Sequence, residues 1–445
     1  MRKTLLSTAL VLMAVCGVRA QETWTLRQCI DYATAHNVQV QKNRVSVEDG
    51  EVSLWKAKGA VFPSLSFSTS QTFGYRPFEE TTAIVQNGQV TNTSSKTTYQ
   101  GSYGLNANVT LWNGGINQKN IEAQRLQNQI NELTTENSEL SVQEQIAQLY
   151  VEILYSKEAK EVNQKLAETA KSQYDRGVAM MEQGQLSKAD VAQLEAQWRS
   201  AEYDVVNSET QTADFKRQLK NLLQLPMEEP FDVTGEAPTD EQVLAALPSS
   251  LSVYEQALAT RPEIRSAELS IDAADLDINI ARRGYYPTIG LSASLGDSHY
   301  SASDKSVGGQ MKTNLNFSAG LTLSVPIFDN RQNKASLESA KLRKVTNQLD
   351  LEDKKNTLSS TIENYWLSAN SNQQKFLSAK AKSQSQEVSY ELLNEQFNNG
   401  LKNIVDLLQG RDNLLSAKQD ELQSKYTALL NIQMLRFYSG EEIDM

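Results

Sequence analysis

Two cysteines, two histidines and nine prolines in 445 residues leave little room for several kinds of chemistry. Cys16 lies in the apolar N-terminal leader, so Cys29 alone remains beyond it, and neither an intrachain disulfide nor a thiolate metal cage can form. His36 and His299 stand in unrelated contexts, which argues against a His-centred catalytic or zinc site. Positive charge is also scarce: at a net charge of -11 the chain lacks the clustered Lys and Arg that bind phosphates, so no nucleic-acid partner is expected. Asn113-Gly114-Gly115 is not followed by Lys-Ser/Thr and reads as a turn, not a phosphate loop. Acidic residues such as Glu352 and Asp353 sit in mixed-charge helical runs and read as solvated face, so the expectation is no enzyme, no metal and no cofactor.

Long apolar runs are missing as well. The one long apolar stretch, Leu5 to Val15, interrupted by Ser7 and Thr8, is too short for a bilayer-spanning helix of about 20 residues. Preceded by Arg2-Lys3 and followed by Val18-Arg19-Ala20, it reads as a secretory signal over residues 1–20, with the mature chain starting near Gln21. Lipidation at Cys16 is the competing processing, disfavoured by Val15 where a small residue is wanted. With a mean hydropathy of -0.49 the remainder excludes helical membrane spans, so any bilayer crossing must use strands.

What the chain does contain is itself, twice. Residues 33 to about 67 match residues 224 positions later: Val40 with Ile264, Ala57 with Ala281, Phe62 with Tyr286, Pro63 with Pro287. From about residue 105 the offset is 216: Val109 with Val325, Trp112 with Phe328, Gly184 with Gly400, Asp190 with Asp406. The eight-residue difference falls in the Thr, Ser, Asn and Gly-rich stretch between 67 and 105, which reads as a loop. The expected organisation is a first repeat over 21–225, a linker over 226–250, a second repeat over 251–438 and a tail over 439–445.

Within each repeat a helix leads to two strands, about 64–111 and 288–327, and then to long helices. Tyr103, Leu105, Ala107, Val109 and Leu111 alternate with Ser, Gly, Asn and Thr; Phe317 to Ile327 alternate likewise. One apolar face, one small polar face and aromatic Trp112 and Phe328 at the ends match the pattern of a membrane barrel. Pro63, Pro287 and Pro326 mark the barrel junctions, where a fixed φ and a missing N–H suit a change from helix to strand. From Asn333 to Gln396 neither Pro nor Gly interrupts, enough for a helix on the order of 95 Å. The spacing of Leu126, Ile130, Leu133 and Leu140 is that of a coiled-coil seam. A periplasmic coiled-coil scaffold or stalk is the alternative reading, and it leaves the strands unexplained.

Four strands cannot close a barrel, and lipid tolerates no open edge, so strands must be pooled between copies. Eight strands would fill their own interior; twelve, from three copies, leave a lumen. The expected fold is thus α plus transmembrane β: a trimeric twelve-stranded barrel continued by a helical tunnel.

The two-copy layout, the junction prolines and the segment Phe397-Asn398-Asn399-Gly400-Leu401-Lys402-Asn403-Ile404-Val405-Asp406-Leu407-Leu408 resemble the TolC-like outer-membrane efflux proteins over nearly the whole mature chain. Gly184-Gln185-Leu186-Ser187-Lys188-Ala189-Asp190-Val191 is similar to the family's other tip hairpin. The resemblance implies a homotrimeric exit duct of an efflux or type I secretion system, in the outer membrane of a Gram-negative cell and reaching into the periplasm. It also implies a periplasmic adaptor and an inner-membrane transporter as partners. Asp406 and Asp190, with Lys402 pairing a carboxylate of a neighbouring helix, are expected at the pore constriction. Gly184 and Gly400 should end their helices in the left-handed conformation, leaving Leu186 and Leu401 exposed as adaptor docking points. Gln409 replaces the family's second acidic residue, and Lys402 stands where TolC has Arg, keeping the charge without the bidentate fork.

Overall fold

The computed structural model describes residues 23–443 apart from 79–81, 87–88, 94–95, 302 and 304; the expected signal over 1–20, with Cys16, lies outside the described residues. In space the chain divides into two compact units, one of residues 1–45, 132–265 and 351–445, the other of 46–131 and 266–350. Each unit draws on both sequence repeats, because a repeat alone supplies only half of a sheet and half of a helical core. Among the described residues no helix is long and apolar enough to cross a membrane.

The second unit holds the sheet. The helices α2 (Val38–Gly59) and α7 (Pro262–Arg283) lead into β2 (Ser64–Tyr75) and β7 (Thr288–Tyr300), each entered directly after its junction proline, Pro63 or Pro287. Their partners β5 (Thr97–Trp112) and β8 (Asn316–Ser324) lead out into α3 (Ile116–Glu182) and α9 (Gln332–Asn398), 67 residues each and so about 100 Å long. The four strands form one antiparallel sheet in the order β2-β5-β7-β8. Strand β8 stops two residues before Pro326, because β7 begins at Thr288, opposite Ser324, and offers nothing further to pair with. The polar stretch read as a loop contains more structure: β2 continues to Tyr75, β3 (Thr82–Gln86) and β4 (Gln89–Thr93) form a hairpin, and β5 starts at Thr97. At five residues each, β3 and β4 are too short for a periodic signal to stand out in the sequence. A short α8 (Val307–Asn314) also stands between β7 and β8.

The two repeats coincide down to single hydrogen bonds. Ser64 opposite Asn108 recurs as Thr288 opposite Ser324. Asn117 Nδ2 donates to the Ala60 carbonyl at 3.3 Å, and its equivalent Asn333 to that of Gly284 at 2.9 Å. Asn131 Nδ2 donates to Ser46 O at 3.2 Å, and Asn347 to Ser270 O at 2.8 Å. Each bond satisfies a carbonyl where two helices lie side by side.

The first unit is helical. After β1 (Thr23–Trp24), α1 (Leu26–His36) starts with a capping box between Thr25 and Gln28. It packs with the distal parts of α3 and α9, with α4 (Lys188–Leu223), with α6 (Ser250–Thr260) and with α10 (Ile404–Tyr438) around Cys29, Ile146, Tyr150, Leu219, Ile264, Ile362 and Met434. Burying each large apolar side chain contributes about 1.5–3 kcal/mol. The linker is not a free tether. Its β6 (Asp232–Val233) pairs in parallel with β1, and it carries a short α5 (Asp240–Val243). Gln373 on α9 donates to the carbonyls of Val243 and Ala245, and Trp366 Nε1 to that of Pro248 at 3.0 Å, satisfying carbonyls of an irregular, proline-bearing segment.

Candidate functional site

Two regions carry the chemistry expected from the sequence: the sheet and the two helical hairpins, α3–α4 and α9–α10. On the sheet, Phe67, Leu105, Leu295 and Phe317 line up across all four strands, as do Leu65, Ala107, Ala293 and Ala319, and Val109, Leu291 and Leu321. Leu65, Phe67, Phe317, Leu321 and Leu323 are each about two-thirds exposed. The opposite parity is Ser68, Gly104, Gly296 and Asn316 in one row and Ser66, Asn106, Ser294 and Ser318 in the next. Ser294 and Ser318 hydroxyls meet at 2.8 Å, and Ser64 Oγ donates to Asn108 O at 3.2 Å. The outer edges of β2 and β8 are unpaired among the described residues.

The hairpin turns are built alike. Gly184 and Gly400 both have φ +72°, and in each turn the glycine N–H bonds three residues back and the next N–H five back: Gly184 to Met181 and Gln185 to Met180, Gly400 to Phe397 and Leu401 to Gln396. This is the Schellman closure, which an L side chain at the glycine position would strain. The following helices start on equivalent caps, Ser187 and Asn403, whose side-chain oxygens accept from the backbone N–H of Asp190 and Asp406.

The carboxylates then part company. Asp190 turns back on its cap, accepting from Ser187 N at 3.3 Å and Ser187 Oγ at 2.7 Å. Asp406 pairs with Lys402 of its own hairpin at 3.4 Å. The two are four residues apart across a helix start, which brings the lysine back over the first turn. Both acids stand in the first turn of a helix, where the dipole favours negative charge.

The leucines also differ. Leu401 is 74% exposed, but Leu186 is half-buried against a cluster of Leu166, Leu194, Tyr390, Phe397, Ile404, Leu407 and Leu414. Its Cδ2 lies over the side-chain-free surface of Gly177, so the expectation of an exposed Leu186 is corrected. Val405, in the first turn of α10, is 62% exposed and is a second exposed apolar side chain close to the turn in sequence. Gln173 on α3 donates to Tyr390 Oη at 2.9 Å and Asn394 Oδ1 at 3.0 Å on α9, tying the hairpins together. Burial raises the Tyr390 hydroxyl above its ordinary pKa, keeping it a neutral partner. Arg411, almost wholly buried on α10, lies beside Tyr390 and went unnoticed in the sequence, where nothing distinguishes it from a surface arginine.

These features have relatives. The alkaline protease secretion protein AprF of Pseudomonas aeruginosa is 24% identical over 336 residues, 74% of this chain and 66% of that protein. The cation efflux system protein CusC of Escherichia coli is 23% identical over 356 residues, 76% and 72%. The chain thus spans about two-thirds to three-quarters of the length of these two relatives. Crystal structures of CusC superpose with a TM-score of 0.76 at 18% identity, covering 94% of this chain and 92% of the other. The Campylobacter jejuni CmeC outer membrane channel gives 0.75 at 20%, covering 94% and 87%. Residues 29–224 and 253–441, the two repeats, match the outer membrane efflux protein family, and this chain belongs to it.

Proposed function

We propose that three copies of this chain pool their strands into a twelve-stranded barrel in the outer membrane of a Gram-negative cell and their helices into a periplasmic tunnel. The assembly is the passive exit duct of an efflux or type I secretion system, served by a periplasmic adaptor and an inner-membrane transporter. The observation that carries this reading is the four-stranded sheet, bare and apolar on one face, small and polar on the other, and open at both edges. A bare apolar face suits lipid, a Ser, Asn and Gly face suits a water-filled lumen, and open edges require further strands. A periplasmic stalk would have no use for that face.

The hairpin tips form the periplasmic mouth. Asp406, flanked by Lys402, and Asp190 constrict it, and Leu401 with Val405 receives the adaptor. A duct needs no catalytic group; it conducts by excluding lipid and holding water, and its mouth selects by charge. AprF is a protease secretion protein and CusC a cation efflux protein, so a pathway for solutes or polypeptides fits the relatives. Membrane fractionation with chemical cross-linking tests the reading: outer-membrane trimers that conduct ions in planar bilayers are expected, and a soluble periplasmic monomer overturns it.

A further inference from the structure

Strand β8 is the shortest of the four, and its ladder with β7 ends at Asn316 opposite Gly296 although β7 runs on to Tyr300. Beyond that point α8 takes over the edge. Asn314 Nδ2 donates to Ser298 O at 2.7 Å, and the buried Gln310 accepts from Tyr300 N at 2.8 Å and donates to Tyr300 O at 3.1 Å. Side-chain amides thus satisfy the peptide groups that a longer β8 would have paired. They also fix how α8 is turned, because Gln310 and Asn314 are four residues apart and share one row of the helix. The adjacent row is Val307, Met311 and Leu315, all exposed. Leu315, with φ -58° and ψ 118°, leads straight into β8 and keeps the parity of Phe317 and Leu321, the bare apolar face of the sheet. The stripe on α8 therefore prolongs that face past the end of the strand.

Charge accompanies the stripe. From Lys305 to Phe328 the sequence holds two lysines and no acidic residue. Lys305 and Lys312 are both exposed, and neither has a carboxylate partner among the described residues; Lys305 Nζ donates to Thr313 Oγ1 at 3.5 Å. Gly308 and Gly309 make α8 a weak helix by itself, and it has no counterpart in the first repeat, where β3 and β4 stand between the paired strands. The long helices leave the sheet at its other end, so α8 stands on the side away from the periplasm. Resting on the outer-membrane reading above, we infer that α8 is an interfacial anchor in the outer leaflet: Val307, Met311 and Leu315 enter the acyl boundary, and Lys305 and Lys312 bind the phosphates of anionic lipid headgroups. An apolar row beside lysines is the composition of a helix lying in a membrane surface. Continuity with the apolar face of β8 sets the row at the rim of that surface, and the uncompensated lysines select an anionic headgroup over a zwitterionic one.

Fluorescence quenching tests the stripe. Full-length protein carrying Cys29→Ala with Met311→Cys or Thr313→Cys is labelled with an environment-sensitive fluorophore and reconstituted in phosphatidylcholine liposomes containing diphosphoryl lipid A. Spin-labelled lipid should quench the label at 311 about threefold more than the label at 313, which lies on the other side of the helix. Quenching at 311 by aqueous iodide but not by lipid means that the stripe faces water, and quenching by neither means that a second copy covers it; either result overturns the anchor. The headgroup contact has its own readout. Lipid A retained by detergent-purified protein, counted by native mass spectrometry, should fall about fivefold with Lys305→Gln and as much again with Lys312→Gln. Inorganic phosphate should not displace it, because the acyl chains share in the binding. Unchanged retention in the double variant, or displacement by inorganic phosphate, overturns the headgroup assignment. Conducting trimers whose label at 311 escapes lipid leave the duct reading intact, whereas protein that forms no conducting trimers overturns both.

Discussion

Leu194 on α4 fills the space a side chain on Gly177 of α3 would need, and at the equivalent positions of the second hairpin the partners are exchanged, with Leu393 on α9 over Gly410 of α10. Each hairpin thus has one leucine knob and one glycine hole at the same level, with the knob on opposite helices. A side chain on Gly410 would bring its Cβ to 2.6 Å from Leu393 Cδ1, so the leucine side chain would have to shift. Gly177→Leu alone should overpack the first hairpin by about 1–3 kcal/mol, and Leu194→Gly alone should leave a void. The exchanged double variant recreates the second hairpin's arrangement, so its thermal melting and export should recover most of the loss; a purely additive loss would contradict the knob-and-hole relation.

The lipid face is tested by parity. Leu321→Arg or Val109→Arg should cost about 2–4 kcal/mol near the bilayer midplane, whereas Thr322→Arg or Asn108→Arg points into the lumen and should cost far less. Refolding titrations in detergent or liposomes measure both. Equal sensitivity at the two parities would mean that the sheet does not face lipid on one side.

On the second hairpin, Lys402 and Asp406 form an exposed pair that adds little to stability, so mutating either should leave the trimer's melting unchanged. Charge is another matter. Asp406→Ala should weaken cation selectivity and block by trivalent cations, and Lys402→Ala, by leaving Asp406 uncompensated, should strengthen selectivity and raise open probability. Reversal potentials and single-channel records in planar bilayers decide, and two variants that both behave like the parent would place the gate elsewhere.

Leu401→Glu or Val405→Glu should abolish export at normal trimer yield, because these side chains are largely exposed. Leu186→Glu should instead destabilise the hairpin by about 2 kcal/mol or more, since it puts a charge against Gly177 and Leu194. Export assays alongside outer-membrane yield separate the two outcomes. If Leu186→Glu kept full stability, its packing role would be refuted.

Cys29 is fully buried, and burial pushes its thiol up to about 12. In the folded protein it should resist alkylation at pH 8 to 9 and react fast once denatured, which stopped-flow labelling reads directly. An unfolded thiol ionises near its ordinary value of 9.0 while the folded one keeps its proton. The stability it contributes is therefore full below that value and declines as pH rises towards 12. Denaturation of the parent should be more pH-sensitive over that range than that of Cys29→Ala, and identical slopes would remove Cys29 as the cause.

Covalent repetition and local periodicity are properties of sequence, so the two-copy layout, the strict alternation from Tyr103 to Leu111, the long helices and the Gly184 and Gly400 turns could be read before any coordinates. The shared family follows from the same positions. Only tertiary structure decided that Leu186 folds inward over Gly177 while Leu401 stays out, because residues at matching turn positions acquire different neighbours once the helices pack. It also decided that Asp190 closes its own cap while Asp406 pairs with Lys402, and that the linker carbonyls are held by Gln373 and Trp366. Local chain chemistry fixes which elements form; which side chain meets which depends on contacts hundreds of residues apart, such as Gln173 with Tyr390, that no window of sequence contains.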